Sequence, residues 1–337
     1  AVQKAEALQA FAAREDLEAA AVTLSAIVVD TWTLLLGVRQ QIALLAGQIE
    51  VSENLLELQR FRFQNGLSTA LEVSQQMENL ASVRADMPLL QAREQVLLNS
   101  LALLTGRAGT AQIIVSQKTL PELIPLPDTG IPSALLIRRP DVRAAANRLQ
   151  SADWRIAAAR ADRLPSLNFI AEAGFASEDF SRLFSNWLTS LAANLVAPVF
   201  DAGRRAAEVD RTRAVAQERL AEYGRTVAEA FNEVADGLAQ EVGQREHIDR
   251  LQDQLDAARL ARQEARIRYL EGGSDYLNFL IEIQNVQSLE RRIVVQRAEL
   301  IRLRVGLYRA LGGDWTRDLP DQAASDPKTV VRDHGVN

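Results

Sequence analysis

From Gly203 to Leu270 no proline interrupts the chain, and apolar residues return in steps of three and four. They fall at Leu220, Tyr223, Val227, Phe231, Val234, Leu238 and Val242, then at Ile248, Leu251, Leu255 and Ala258. Such steps sum to seven, the period of a coiled-coil seam. One unbroken helix over this span would be about 100 Å long at 1.5 Å per residue. A rod of that length does not fit a compact domain. It needs a partner helix along its flank and a wide space to cross.

The rod is one of a pair. Displacing the sequence by 206 residues lays RFQNGLSTALEV (62–73) over RYLEGGSDYLNF (268–279). Arg62/Arg268, Gly66/Gly272, Ser68/Ser274 and Leu71/Leu277 are identical, and Phe63/Tyr269 are both aromatic. Without a gap, the same offset pairs Val28 with Val234, Asp30 with Asp236, Arg39 with Arg245, Leu45 with Leu251, Asn79 with Asn285, Leu101 with Leu307 and Gly106 with Gly312. A fixed long offset signals a duplicated structural unit. The first copy carries the same rhythm at Leu24, Ile27, Thr31, Leu34, Val38, Ile42, Leu45 and Ile49. Each copy reads as helix, glycine turn, helix: one hairpin over 1–106, a second over 201–311. The turns fall at 64–68 and 271–275. Gly66 and Gly272 supply the positive φ that ends a helix. Ser68, and Ser274 or Asp275, can cap the helix that follows. Pro88, inside the helix after the first turn, predicts a kink or break.

Composition supports a slender architecture. Of the 337 residues 47% are hydrophobic but only 5% aromatic, too few bulky rings to fill a thick core. The 38 basic and 44 acidic residues are interspersed, with a net charge of −6, so no basic face addresses nucleic acid. Cysteine is absent, which excludes disulfides and thiol chemistry. No run approaches the roughly 18 apolar residues of a membrane-spanning helix; the most apolar window, Ala19 to Val29, is interrupted by Thr23 and Ser25. The opening AVQKAEALQAFAARE reads as helix interior without a cap, which predicts a preceding segment. Nothing points to an enzyme or a cofactor. His247 lies in a polar helix and His334 in a tail, with no metal-ligand spacing around them. No nucleophile motif or phosphate-cradling loop occurs, and GGSD (272–275) is a turn.

Between the copies the pattern changes. Residues 107–132 carry Gly109, Pro121, Pro125, Pro127, Gly130 and Pro132, and read as a surface connection. In 133–165, Ser133 can cap a short helix ending at Arg139, because a residue before proline is pushed out of the helical region. Pro140 suits the first turn of a new helix, and Asp141 favours its positive end. Arg138 and Arg139 close one helix end and Asp141 opens the next. A plain corner accounts for the proline and aspartate but not for the paired arginines, which are expected to anchor on helix-end carbonyls or acidic neighbours. The new helix runs to about Leu164.

Residues 166–200 switch to period two. Leu167, Phe169, Ala171, Ala173 and Phe175 alternate with Asn168, Ile170, Glu172 and Gly174. Leu191, Ala193, Leu195, Ala197 and Val199 alternate with Ser190, Ala192, Asn194 and Val196 over a strand drawn at 187–200. Both lengths approach the 9–11 residues of a tilted membrane strand. Two strands alone are not a stable sheet, and a membrane tolerates no open edge. The hairpin must therefore pair with strands from a preceding segment, from other subunits, or from both; a soluble hairpin packed on the helices is the alternative. Residues 312–337 read as a C-terminal segment or tail.

At this point LLIRRPDVRAAANRLQSADWRIAAARADRLPSLNF resembles the signature of the NodT-type outer-membrane efflux lipoproteins, members of the TolC-like outer membrane factor family. Arg138, Arg139, Pro140 and Asp141 match its R-R-P-D. APVFDAGRRAAEV (197–209) is similar to its P-I-F-D-G-G-R, through Pro198, Phe200, Asp201, Gly203 and Arg204. The two turn segments look like the family's tip turns, and ALGGDW (310–315) like its L-G-G-G-W. The resemblance runs from residue 1 to about 316. It implies a mainly α fold of long antiparallel coiled-coil hairpins forming an α-barrel, with a short β-hairpin contributed to a trimeric outer-membrane β-barrel. Each protomer of the family gives four strands, so the first strand pair, the signal and a lipidated cysteine would precede residue 1. The sequence departs from the pattern at Ala146, where an acid is usual, and at Ala202, where glycine is. Asn278 and Ile281 stand where some members carry mouth aspartates, and Ser274 where some carry a gate arginine. Glu72 holds a family acidic position, and Tyr269 matches a tyrosine used in closing the tunnel.

The resemblance implies a passive export duct of a tripartite efflux or secretion system. It would be a homotrimer in the Gram-negative outer membrane with a long periplasmic portion, in contact with lipid. A periplasmic adaptor would connect it to an inner-membrane pump. The tips, Gly66, Leu67, Ser68, Gly272, Gly273 and Ser274, would touch the adaptor. Glu72, Tyr269, Asp275, Asn278 and Glu282 are candidates for the gate or tunnel mouth, with Glu271 as a further nearby charge. The competing reading is a soluble coiled-coil scaffold or adaptor.

Overall fold

A computed structural model describes residues 1–107, 115–123, 138–175 and 187–313. In chain order these form α1 (Val2–Gln64), α2 (Ala70–Leu104), α3 (Pro140–Ala161), β1 (Ser166–Phe175), β2 (Trp187–Val196), α4 (Arg204–Leu270) and α5 (Tyr276–Ala310). Ser133, most of the short helix expected before Arg139, and the segment after residue 313 lie outside the described residues. The duplication is visible in the elements themselves. Adding 206 to the bounds of α2 gives the bounds of α5, and adding it to the end of α1 gives the end of α4.

The chain divides into two units, residues 20–139 with 230–337, and residues 1–19 with 140–229. In the first unit, α4 and α5 bury three apolar clusters along their seam. Val234, Leu307 and Ala310 form one, Leu251, Leu255, Val286, Leu289 and Ile293 the second, and Tyr269, Tyr276, Phe279, Leu280 and Ile283 the third. Burying one such aliphatic side chain contributes about 1.5–3 kcal/mol.

The seam follows a heptad, but not at every expected position. Val234, Glu241, Ile248 and Leu255 are buried, seven residues apart. Val242 is 58% exposed, so the carboxylate beside it holds the interior position. Leu220, Leu24 and Ile27, also expected in the seams, are exposed. In α1 the buried series is Val38, Leu45, Ser52 and Gln59, which turns polar toward the glycine turn.

Glu241 can lie in the seam because α5 brings Arg304 to it. Arg304 Nε donates to Glu241 Oε2 at 2.8 Å and its terminal nitrogen to Oε1 at 2.5 Å, with both side chains at most 2% exposed. Arg245, one helical turn on, also donates to Glu241 Oε1 at 2.9 Å. Burial alone would raise the Glu241 pKa. The hydrogen bonds from Arg304 and Arg245 outweigh it and hold the carboxyl below its ordinary value.

Two further expectations change. Pro88 does not break α2, which continues from Ala70 to Leu104; the ring costs the bond to the Arg84 carbonyl without ending the helix. α1 also contains an 18-residue window of mean hydropathy 1.8, long and apolar enough by composition to cross a membrane. The residue-by-residue reading missed it because single polar residues punctuate the run. Leu35, Leu36 and Val38 of α1 are nevertheless core residues of the hairpin unit.

In the second unit α3 packs antiparallel on the first turns of α1 through small buried residues, Ala5, Ala12, Ala144, Ser151 and Ala152. Ser151 Oγ donates to the Ala5 carbonyl at 2.8 Å. Arg143 pairs with Glu15 and Glu18, Arg148 with Asp16, and Lys4 lies 4.5 Å from the Trp154 ring centre.

β1 and β2 pair antiparallel from Ser166↔Val196 to Phe175↔Trp187. Paired positions sum to an even number, so the two odd-numbered apolar sets share one face: Leu167 opposite Leu195, Phe169 opposite Ala193, Ala171 opposite Leu191. Asn168 opposite Asn194 and Glu172 opposite Ser190 lie on the other. Leu167, Phe169, Leu191 and Leu195 are 55–80% exposed. The second strand stops at Val196 rather than running to 200, since Pro198 cannot donate to a ladder.

Candidate gate at the hairpin tips

Both long hairpins turn in the same way. Leu67 N–H donates to the Arg62 carbonyl and Gly66 N–H to that of Phe63, while Gly273 N–H donates to Arg268 and Gly272 N–H to Tyr269. This paired closure satisfies the last helical carbonyls and needs a left-handed residue at its centre. Gly66 and Gly272 supply it, at φ +72 and +76. The residue that caps α2 is Thr69, whose side chain accepts from Glu72 N–H at 3.3 Å, and not Ser68. Asp275 occupies the cap position of α5 without a side-chain capping bond.

Ser68 is drawn instead into a network that joins the two hairpins. Its hydroxyl lies 2.6 Å from Glu72 Oε2 and 3.0 Å from Gln59 Oε1. Gln59 Nε2 donates to the Tyr269 hydroxyl at 3.1 Å, and that hydroxyl donates to Glu72 Oε2 at 3.1 Å. Tyr269 is buried, its ring stacked on Phe279 (centroids 6.2 Å apart), tilted against Tyr276 (5.3 Å), and under the Arg62 guanidinium at 5.1 Å. Burial, before any neighbouring charge, raises the Tyr269 and Tyr276 hydroxyl pKa values, so both stay protonated donors.

The polar seam continues along the hairpins. Tyr276 donates to Gln76 Oε1 at 2.6 Å, and Gln76 Nε2 to the Ser52 carbonyl at 2.8 Å. Gln284 donates to Asn79 at 2.9 Å, Gln48 to the Gln287 carbonyl at 3.2 Å, and Arg291 to Gln48 Oε1 at 2.6 Å. Sequence reasoning named Glu72 and Tyr269, and the structure brings them together. It missed Gln59, Gln76 and Tyr276. The available signal was the row of glutamines and serine at heptad positions of α1, where a seam ordinarily carries leucine.

The remaining candidates do not join this network. Asn278 donates to Ser274 Oγ at 3.0 Å, Glu282 accepts from Asn285 at 3.3 Å, and Asp275 is exposed. Ser274, Asn278 and Glu282 line a shallow cleft with Arg268 and Glu264. Glu271 is exposed at the turn. A larger groove of about 960 Å3 runs between α1 and α4 over α5, with Leu44, Val51 and Phe279 in its lining and Arg259, Arg262 and Arg266 along one wall.

The signature residues form two clamps. Arg139, 7% exposed, donates to Glu233 Oε2 at 2.8 Å and to the carbonyl of Ala310, the last residue of α5, at 3.1 Å. One arginine thus takes both kinds of anchor expected of the pair. Beside it the backbone of Arg138 lies so close to Gly312 (φ +103) that a Cβ there would sit 3.0 Å from the Arg138 carbonyl carbon. R-R-P-D and the terminal L-G-G are therefore two sides of one contact. Pro140 opens α3, and Asp141 Oδ1 accepts from Val142 N–H at 2.9 Å.

In the second clamp Asp201 accepts from the N–H groups of Gly203 and Arg205, at 3.1 and 3.2 Å, and so caps α4. Gly203 and Ala202 both have positive φ, +83 and +52. Ala202 is the one described non-glycine residue in that region, where an L-residue is strained. Arg205, not Arg204, bridges back to the Asp162 carbonyl; Arg204, Pro198 and Phe200 make the exposed edge of this turn or lie half-buried within it.

Tandem helical hairpins with a membrane-length amphipathic ribbon between them in sequence are the architecture of outer-membrane channels whose tunnel is built from such hairpins. Comparison with known proteins agrees. The chain belongs to the outer membrane efflux protein family, whose family model matches residues 131–313. It is 33% identical to the pyoverdine export outer membrane protein OpmQ of Pseudomonas putida, over 92% of this chain and 66% of that protein. Its fold matches a membrane protein from Pseudomonas aeruginosa (28% identity, TM-score 0.82, 93% of this chain and 71% of the other). It also matches the outer membrane protein VceC of Vibrio cholerae (25% identity, TM-score 0.79, 92% and 74%). Proteins of this family are efflux channels and not enzymes. The chain spans about two thirds of the length of OpmQ.

Proposed function

We propose that this chain forms part of the wall of a passive export channel in the outer membrane. The observation that carries the reading is the ribbon. One face carries Leu167, Phe169, Ala171, Leu191, Ala193 and Leu195, exposed and uncovered among the described residues, while the polar Asn168, Glu172, Ser190 and Asn194 gather on the other beside Ile170 and Ala192. A barrel that puts lipid outside and water inside requires that division. A soluble scaffold would hide the apolar face against its own helices. Three copies would complete the barrel and pack their hairpins into a tunnel through the periplasm. The tips around Gly66 and Gly272 would meet a periplasmic adaptor, which hands over substrate from an inner-membrane pump.

The bonds between Tyr269, Gln59 and Glu72 join the two hairpins at the tip, and their release would let the second hairpin swing outward and widen the mouth. Asp275, Asn278 and Glu282 would then line the entrance. Pyoverdine and toluene belong to the names of two relatives, OpmQ and TtgF; a small organic solute is the corresponding cargo class here. The test is to fractionate cells expressing the full-length protein and to record planar-bilayer conductance. Outer-membrane partition with discrete conductance steps is expected. A soluble, non-conducting protein refutes the channel reading. Gly272→Val, which forces a β-branched residue to φ near +76, should reduce efflux with helix content unchanged.

A further inference from the structure

The foot of the ribbon carries a set of cations that the channel reading does not use. β1 begins at Ser166 opposite the last residue of β2, Val196. Just before this pair come Arg160, Arg163 and Leu164, and just after it Val199, Phe200 and Arg204. The three apolar side chains are among the most exposed in the chain: Leu164 65%, Val199 96%, Phe200 89%. Arg160, Arg163 and Arg204 are exposed as well. None of the three has an ion-pair partner among the described residues, whereas their neighbour Arg205 is held by Asp201 and the Asp162 carbonyl, and Arg211 by Glu208.

The acids nearby are largely spent. Asp201 caps α4 through two backbone N–H groups, and Glu208 pairs with Arg211 at 2.7 Å. Of these acids Asp162 has no ion-pair partner among the described residues. It lines a polar cleft of about 610 Å3 with Ser166, Arg204, Arg205 and Glu208. The local balance of uncommitted charge is therefore positive. It lies directly beside bare apolar side chains, at the end of a ribbon whose lipid face stops there. Long cationic side chains beside exposed apolar ones are what the boundary between hydrocarbon and headgroups selects.

We infer that Arg160, Arg163 and Arg204 form a collar that binds the phosphates of anionic phospholipids in the periplasmic leaflet, with Leu164, Val199 and Phe200 seated among the acyl chains above them. The inference rests on the membrane-spanning reading of the ribbon. Charge complementarity selects phosphatidylglycerol over the zwitterionic phosphatidylethanolamine. Each membrane-adjacent arginine contributes about fivefold in partition, so three give on the order of a hundredfold at low ionic strength, with the effect decaying as salt screens it.

The full-length protein would be reconstituted in vesicles of phosphatidylethanolamine and phosphatidylglycerol at 3:1 by design, re-extracted in mild detergent, and its bound lipid quantified. Phosphatidylglycerol should be enriched on the order of tenfold over the bulk ratio, and inorganic phosphate at millimolar concentration should not displace it. Arg160→Gln, Arg163→Gln and Arg204→Gln together should abolish the enrichment, while the three Arg→Lys changes should retain most of it, which controls for folding. Protein that enters the vesicles but carries lipid at the bulk ratio, or prefers phosphatidylethanolamine, overturns the collar and leaves the channel reading standing. Enrichment undiminished in the glutamine variant overturns it too. Protein that does not enter the vesicles removes the membrane reading and the collar with it.

Discussion

Replacing Arg304 by leucine should destabilise the second hairpin more than the loss of any single aliphatic contact along it. Arg304 and Glu241 are at most 2% exposed and joined by two hydrogen bonds, at 2.5 and 2.8 Å. Breaking a buried pair costs about 3–5 kcal/mol; because Arg245 still holds Glu241 at 2.9 Å, the loss for Arg304→Leu should fall near the lower end of that range. For a chain of this size that corresponds to roughly 10 °C in melting temperature. Glu241→Leu should also destabilise, because the buried Arg304 guanidinium loses both hydrogen bonds to the carboxylate and keeps only neutral partners such as Tyr308. The double variant puts an apolar pair into a seam that already holds Val234 and Ile248 one heptad away on either side. It should recover most of the loss, giving a coupling energy of several kcal/mol in a double-mutant cycle. Circular dichroism at 222 nm, followed on heating of the detergent-solubilised protein, reads all four species. Single variants melting within about 2 °C of the parent would show that water reaches the pair, and the burial argument would fall. Losses that simply add in the double variant would refute the pairing.

The same pair gives a pH dependence. The Glu241 carboxyl titrates below its ordinary value in the folded chain, so its contribution is present above the unfolded carboxyl pKa and lost as pH falls through the folded one; the gap in melting temperature between parent and Glu241→Leu should close in acid. Tyr269→Phe keeps the ring stacked between Phe279 and Tyr276 but deletes the hydroxyl shared by Gln59 and Glu72, a loss of about 1.5–3 kcal/mol per protomer. Bilayer recordings should show open probability raised about tenfold or more, and unchanged gating would refute the hydroxyl as a latch. Ala202→Gly should stabilise by about 0.5–1 kcal/mol, since glycine relieves the φ of +52 at some cost in chain entropy, and thermal melting would show it. Gly312→Ala should do the opposite, by about 2 kcal/mol or more, because its Cβ meets the Arg138 backbone; a neutral result would mean the two segments are not in contact.

The duplication, the glycine turns and the ribbon could be read from sequence because each depends on local chemistry. A left-handed turn needs glycine, and a strand with one lipid face alternates. The seam was read less well. Val242 looked like the interior residue because periodicity counts apolar side chains, while the position belongs to Glu241, whose partner lies 63 residues away. Thr69 and Ser68 are both competent caps, and only the pull of Glu72 and Gln59 on Ser68 decides between them. The latch paired two residues already singled out, but Gln59, Gln76 and Tyr276 were invisible because a glutamine in a coiled coil reads as surface until the facing helix is known. Pro88 suggests a kink or break, yet the helix runs on through it from Ala70 to Leu104 at the cost of one hydrogen bond.

The contact between Arg139 and the Ala310 carbonyl joins residues 171 positions apart. The ribosome therefore delivers the two halves of this unit at different times. At 5–20 residues per second, about 10–30 s separate the appearance of Arg139 from that of its acceptor. During that interval α1 and α2 exist without the helices that bury Leu35, Leu45 and Leu80. The exposed apolar seam of the unfinished chain should make its vulnerability to proteolysis peak before residue 310 is made.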